Sequence, residues 1–272
     1  MWYRGEQGSA RSNRAKEKQM RYHPRLLANE IGKVMNDDII QISAKNLGAL
    51  AMPNCCPRCF WLKLNCKLPY QIFPGIFSSI DSYTKKITWG YYRRFNSLPD
   101  WFKPFGDFAK PVKAPGRSIF FVEDEETNVK LTGIPDDIFQ KKDGSYFIVD
   151  YKTSRFTENQ DALLPIYRVQ LNGYALIAEK CGLKPVTGIG LAYYEPPLGS
   201  TVDDLEQSLL DDGFRMPFRT HLLELELRLS EIVSPLLKKV RELADLTEPP
   251  KGNASCSDCQ KLEELIRLTA GQ

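Results

Sequence analysis

The chain has no apolar run near the roughly 20 residues that a helix needs to cross a bilayer, so no membrane span is expected. Residues 1–25 carry Arg4, Arg11, Arg14, Lys16, Lys18, Arg21 and Arg25 against Glu6 and Glu17, and no apolar segment follows them. They do not read as a secretory signal. They read as a solvated, disordered basic tail or as a phosphate-binding arm. A formal net charge of +3 over 272 residues is too small to argue for a polyanionic partner by itself. Internal repeats and low-complexity tracts are also lacking. What remains is an ordinary globular composition, 42% hydrophobic and 26% charged, long enough for one large domain. The expectation is a soluble, cytoplasmic protein with a basic tail over residues 1–25 and a single domain over residues 26–272.

Seven cysteines in a chain with no secretory signal make an odd count, which argues against a disulfide framework. Cys56 and Cys59 lie in "CPRC", and Cys256 and Cys259 in "CSDC". In each pair the spacing lets both thiolates reach one metal. A metal shared by the two pairs would close a very long loop and staple the ends of the fold, a stabilisation that grows slowly with loop length. A redox or incidental CxxC is the competing reading of each pair alone. Cys55 and Cys66 are possible substitute ligands, and Cys181 reads as a core residue.

Along the chain, Phe77, Ile80, Thr84, Ile87 and Tyr91 recur at helical spacing within residues 77–95, and Asp81 falls in the same stripe. Residues 117–124, 128–139 and 145–151 read as strands, with a hairpin turn at "KKDGS" between the last two. A helix is expected over 163–182, ending at Gly182, then a strand over 186–195. After a loop-rich connection at 196–216, alternation of Leu with charged residues predicts a strand over 219–229. A helix over 230–246 follows, with Pro235 in its first turn.

Polar residues interrupt this apolar scaffold at a few places. In "SYFIVDYKTS", Ile148, Asp150 and Lys152 share one strand face, and Phe147, Val149 and Tyr151 the other. On the preceding strand Asp136 and Asp137 must point to opposite faces, so one of them can look toward Asp150. Two carboxylates and a backbone carbonyl make a hard oxygen site suited to Mg²⁺ or Mn²⁺. Lys152 beside it offers a positive charge for a developing oxyanion or a nucleophilic water. Gln170 and Tyr174, four apart, share a face of the next helix. Taken alone, Asp150 and Lys152 could equally be an exposed ion pair of little worth. Residues 60–118 interleave Lys63, Lys67, Lys85, Lys86, Arg93, Arg94, Lys103 and Lys110 with Trp61, Tyr70, Trp89, Tyr91, Tyr92, Trp101 and Phe105. That mixture suits a phosphate backbone with stacked bases, although most such aromatics are expected in the core.

"GIPDDIF", "VDYKTS" and "QLNGY", in that order, resemble the motifs of the PD-(D/E)XK nuclease superfamily, in particular its RecB-like branch with the QxxxY helix. "CPRCFWL" and "CSDC" are similar to the cysteine framing of iron–sulfur or zinc-stapled members, among them the small CRISPR-associated nucleases. The likeness runs from about Cys55 to Cys259. It implies an α/β, restriction-endonuclease-like core of helix, three-strand meander, helix and strand, with an extra C-terminal strand and helix and a cysteine-bound metal staple. It also implies a Mg²⁺- or Mn²⁺-dependent nuclease acting on DNA rather than RNA, in repair, recombination or CRISPR-type processing. Asp136 and Asp150 match the metal-binding aspartates, the Tyr151 carbonyl a further ligand, and Lys152 the catalytic lysine. Gln170 and Tyr174 match the helix residues that orient the lysine and the scissile phosphate.

Two departures accompany the likeness. Relatives often carry a His or Glu ligand on the first helix, whereas the only histidines here are His23 and His221, which leaves Asp81 as the candidate. Members with a 4Fe-4S cluster usually have one early and three late cysteines. Here Cys56, Cys59, Cys256 and Cys259 split two and two, so zinc and iron–sulfur stay open. A catalytically inactive nuclease fold that binds nucleic acid or a protein partner is the alternative function.

Overall fold

Residues 39–66, 74–157, 161–196 and 205–269 are described by the computed structural model. The basic tail, Lys67, Tyr70 and His23 lie outside them, as does most of the first half of the 196–216 connection. The chain enters as β1 (Ile40–Ser43), then α1 (Ala44–Gly48), whose Ser43 cap accepts the Asn46 N–H at 3.2 Å. α2 (Pro57–Asn65) and α3 (Gly75–Phe95) precede a short 3₁₀ helix, Asp100–Phe105. The strands that follow are β2 (Phe108–Val112), β3 (Phe121–Asp124), β4 (Val129–Thr132), β5 (Asp137–Lys141) and β6 (Tyr146–Lys152). After α4 (Leu164–Lys180) come β7 (Val186–Glu195), the two-residue strands β8 (Leu209–Leu210) and β9 (Gly213–Phe214), and β10 (Arg219–Leu225). α5 (Leu229–Ala244) and α6 (Ser257–Thr269) complete the order.

The mixed α/β class and the order helix, strands, helix, strand, then an added strand and helix are as expected, but the meander is built differently. Residues 128–139 are not one strand: Gly133–Asp136 breaks the run, β4 joins a three-stranded sheet (β1-β4-β3), and β5 joins the five-stranded sheet β10-β7-β6-β5-β2. Gly133 has φ +153°, and Pro135 follows it, so continuous pairing fails there. β5 and β6 form the expected hairpin through Lys141–Ser145, and β6 runs parallel to β7 across the α4 crossover.

Both faces of the five-stranded sheet are covered. Ile138, Ile148, Ile189 and Leu191 pack toward α4 and α5, whereas Phe139, Phe147, Val149, Tyr151 and Ala192 pack against Phe102 and Phe105 of the 3₁₀ helix. The alternation anticipated in residues 146–152 is therefore real. α4 ends as expected, with Gly182 at φ +90° and the Leu183 N–H bonded to the Ala178 carbonyl at 2.9 Å.

Three local expectations change. α5 starts at Leu229, so Pro235 lies in the second turn, and β10 stops at Leu225. The buried positions of α3 are Thr84 and Thr88, while Phe77 and Ile87 are exposed. Its inward face is therefore polar: Lys85 and Trp89 reach Asp136 and Asp137, and Asp81 pairs with Lys85 on the same helix. Among the described residues, no helix is long and apolar enough to cross a membrane.

Candidate active site

The β5–β6 register decides which acidic residues meet. Asp137 pairs with Val149, so the preceding residue, Asp136, falls opposite Asp150 at the end of the ladder. Asp136 Oδ2 accepts the Tyr151 backbone N–H at 2.6 Å, which ties the carboxylate to β6 just beyond the last paired residue. A strand residue projects its N–H and C=O toward the same neighbour, so the Tyr151 carbonyl points to the Asp136 edge as well. Asp137 goes to the other face. Its Oδ1 accepts Trp89 Nε1 at 2.7 Å, and its Oδ2 accepts the Tyr151 hydroxyl, which also contacts Thr88 Oγ1 at 3.0 Å. Burial pushes the Asp137 carboxyl up to about 6, against the pull of those hydrogen bonds.

α4 supplies the other wall. Gln170 Nε2 donates to Asp150 Oδ1 at 3.3 Å and to the Tyr174 hydroxyl at 2.8 Å, while Gln170 Oε1 lies 3.5 Å from Lys152 Nζ. Lys152 also pairs directly with Asp150 Oδ2. Its ammonium stands 4.0 Å from the centre of the Tyr167 ring, a cation–π contact that the sequence reading missed. Tyr167, Gln170 and Tyr174 sit at i, i+3 and i+7, so one stripe of α4 holds the lysine. Tyr174 is fixed from behind: a Cβ on Gly133 would lie 2.4 Å from its Cε1. The glycine thus lets the loop that carries Asp136 rest on the Tyr174 ring.

Asp81, the first-helix candidate, is near the group, but its contact is indirect. Asp81 Oδ2 pairs with Lys85 Nζ at 2.9 Å, and the same ammonium lies 2.7 Å from Asp136 Oδ1. Burial, then the neighbouring Asp150 charge, push the Asp136 carboxyl up to about 7 against the opposing pull of Lys85 and the Tyr151 N–H. The sequence reading placed Lys85 only in a general basic mixture. Its signal was the i, i+4 spacing from Asp81.

A second cluster forms far from this one in sequence. Cys56 precedes α2 and Cys256 precedes α6, so each CxxC wraps a helix N-terminus. Sγ–Sγ distances are 3.6 Å for Cys56–Cys259, 3.6 Å for Cys59–Cys256 and 3.4 Å for Cys59–Cys259, and all four sulfurs lie within 4.8 Å of one another. Burial raises the Cys59 and Cys259 thiols. For Cys56 the same burial is outweighed by the backbone N–H groups of Cys59 and Asn253 and by the Cys259 and Cys256 thiols, which bring it down to about 6. Four thiols that close, one already acidic, are a donor set that could hold a metal. Cys66 is exposed, and Cys55 and Cys181 are partly buried against the core, so none of these joins the cluster.

Phe60, Trp61, Phe102 and Phe105 are buried, but of the other aromatics interleaved with the cations Tyr91 and Tyr92 are half-buried, Trp89 is half-buried and engaged with Asp137, and Trp101 is exposed, so the expectation that most of them lie in the core is not met. Lys86, Arg93 and Arg94 are exposed along α3.

Comparison with known proteins gives three findings. A family model described as the PD-(D/E)XK nuclease superfamily matches residues 92–262. No curated protein matches the sequence. A solved structure titled "Crystal structure of SSO0001" is similar at 13% identity, over 83% of this chain and 85% of that chain, with a TM-score of 0.37.

Proposed function

The chain belongs to the PD-(D/E)XK nuclease superfamily, and on that premise we propose that it is a divalent-metal-dependent deoxyribonuclease. The observation that carries the proposal is the single hydrogen-bonded group formed by Asp150, Lys152, Gln170 and Tyr174, with Asp136 opposite Asp150 in the ladder. The donor chemistry fits a hard cation: the buried Asp150 carboxylate, the largely buried Asp136 carboxylate and a carbonyl, with the Asp136 carboxyl raised by burial and then by the charge of Asp150. Mg²⁺ or Mn²⁺ held by Asp136, Asp150 and the Tyr151 carbonyl would supply Lewis acidity toward a phosphodiester.

The protein's own groups do the rest. Gln170 holds Asp150 and Lys152 in one plane of contact, and the Tyr167 ring limits where the ammonium can swing. Lys152 is then placed to stabilise the attacking oxygen or the charge that builds on phosphorus. Lys86, Arg93 and Arg94 on the exposed side of α3 offer cations to a nucleic-acid backbone. The D-x-K spacing and the QxxxY helix support a place in the RecB-like branch, and the cysteine framing supports a role in repair, recombination or CRISPR-type processing.

The four thiols are read as a zinc site. One ion with Zn–S bonds of about 2.3 Å holds its sulfurs roughly 3.8 Å apart, close to the observed spacings. A four-iron cluster puts each thiolate on a separate corner and holds them farther apart.

The test incubates purified protein with labelled single- and double-stranded DNA, and RNA in parallel, plus Mg²⁺ or Mn²⁺. Cleavage of DNA that disappears in Asp150→Ala and Lys152→Ala supports the assigned roles, and cleavage that persists in either refutes them. A second reading, binding without cutting, is favoured by one contact: Lys85 already neutralises Asp136. It predicts salt-sensitive DNA binding with no metal-dependent hydrolysis.

A further inference from the structure

Among the described residues, Lys85 is the one cation in the acidic group that comes from outside the D-x-K strand. It sits one turn beyond Asp81 on α3, and its ammonium bridges Asp81 Oδ2 and Asp136 Oδ1 at 2.9 and 2.7 Å. The other Asp136 oxygen is taken by the Tyr151 N–H. Both oxygens of the first aspartate are therefore engaged, and a divalent cation drawn to Asp136 meets the Lys85 ammonium at Oδ1, like charge against like charge. The two carboxylates that share the ammonium differ in setting. The Asp136 side chain is 15% exposed and that of Asp81 48%. An ammonium released from Asp136 can thus stay with Asp81 on the wetter side without leaving its own helix face.

On the reading of Asp136 and Asp150 as metal ligands, we infer that Lys85 is a tethered counter-cation that competes with the divalent ion for Asp136. Asp81 retains the displaced ammonium and is not itself a ligand. Lys85 ties Asp136 to Asp81 before the ion arrives, and ion entry at Asp136 is an exchange of one cation for another. The exchange sets a threshold. The site fills only where the free divalent cation is abundant enough to displace the lysine, so the helix register of two residues tunes the ion concentration at which the centre becomes loaded.

Calorimetric titration with Mn²⁺ alone, without nucleic acid, tests this. Lys85→Met is expected to bind Mn²⁺ on the order of tenfold more tightly than the unaltered protein, and to melt at lower temperature when metal-free. Lys85→Gln, which keeps a donor for Asp136 without the charge, gives the same direction and guards against a packing defect in the Met variant. Adding Asp81→Asn to Lys85→Met should leave Mn²⁺ affinity unchanged. Equal affinity in the unaltered protein and both Lys85 variants overturns the inference, as does a loss of affinity when Asp81→Asn is added. If the unaltered protein and the Lys85 variants all bind no Mn²⁺, as Asp150→Ala should not, the metal-site reading itself falls and takes this inference with it.

Discussion

Asp136 and Asp137 are neighbours in sequence with opposite destinations, and burial raises both carboxyls. Asp136 has its pKa raised to about 7, above the ordinary value of 3.8, so between those values the folded protein holds a proton that the unfolded chain has lost. Its contribution to metal-free stability therefore falls as pH rises from about 4 to about 7. Melting curves without divalent ions should show a smaller loss of Tm over that range in Asp136→Asn than in the unaltered protein. Mn²⁺ affinity should rise with pH and level off above about 7, because the ion must displace that proton. Gly133→Ala puts a Cβ into the Tyr174 ring at a φ of +153°, and should cost about 1–3 kcal/mol in denaturant unfolding. At this scale the sequence was informative about strand alternation, since spacing alone put Asp150 and Lys152 on one face and Tyr151 on the other. Spacing tied Lys85 only to Asp81; its bridge to Asp136 and the place of Tyr167 were not legible, because a salt bridge between a helix and a loop and a cation over a ring depend on packing angles that no spacing encodes.

Elements were legible where periodicity and burial agree. β7 and α4 are apolar almost throughout, and their bounds follow the pattern closely. α3 misleads because its inward face meets the acidic group and a tyrosine hydroxyl, so threonines and a lysine point inward and isoleucine outward. The 128–139 run misleads for another reason: its residues suit strands on both sides of Gly133, and only the third dimension assigns them to two sheets. α4 is also bound to the β10–α5 turn by a fully buried amide. Asn172 Nδ2 donates to the Arg168 and Glu226 carbonyls at 2.8 and 3.1 Å, and Oδ1 accepts the Arg228 N–H at 2.7 Å. Asn172→Leu leaves backbone groups of that turn without their partner and should destabilise by about 2–3 kcal/mol in denaturant unfolding. Mn²⁺ affinity of the folded fraction should be unchanged, since no active-site group touches that amide.

Across the whole molecule, the cysteine cluster joins residues 203 positions apart, next to a cavity of about 390 Å³ lined by Arg58, Pro249, Gly252 and Glu263. The sequence supplied the four thiols and the pairing of early with late, because a CxxC spacing is set by helix geometry. It did not supply the ion, which depends on sulfur separations. Elemental analysis should return one zinc per chain, with no visible absorption band. Cys259→Ser or a strong chelator should lower Tm by several degrees and expose α2 and α6 to protease together, since each loses the same anchor. The cluster also changes how the molecule would carry a load. With a metal bound there, a chain pulled from its two ends would pass tension from the segment before Cys56 straight across the sulfurs to the segment after Cys259, and the five-stranded sheet would be bypassed until the metal–thiolate bonds rupture. A single-molecule trace should then show one short release followed by a long one, and the long step should come first only when the ion has been stripped.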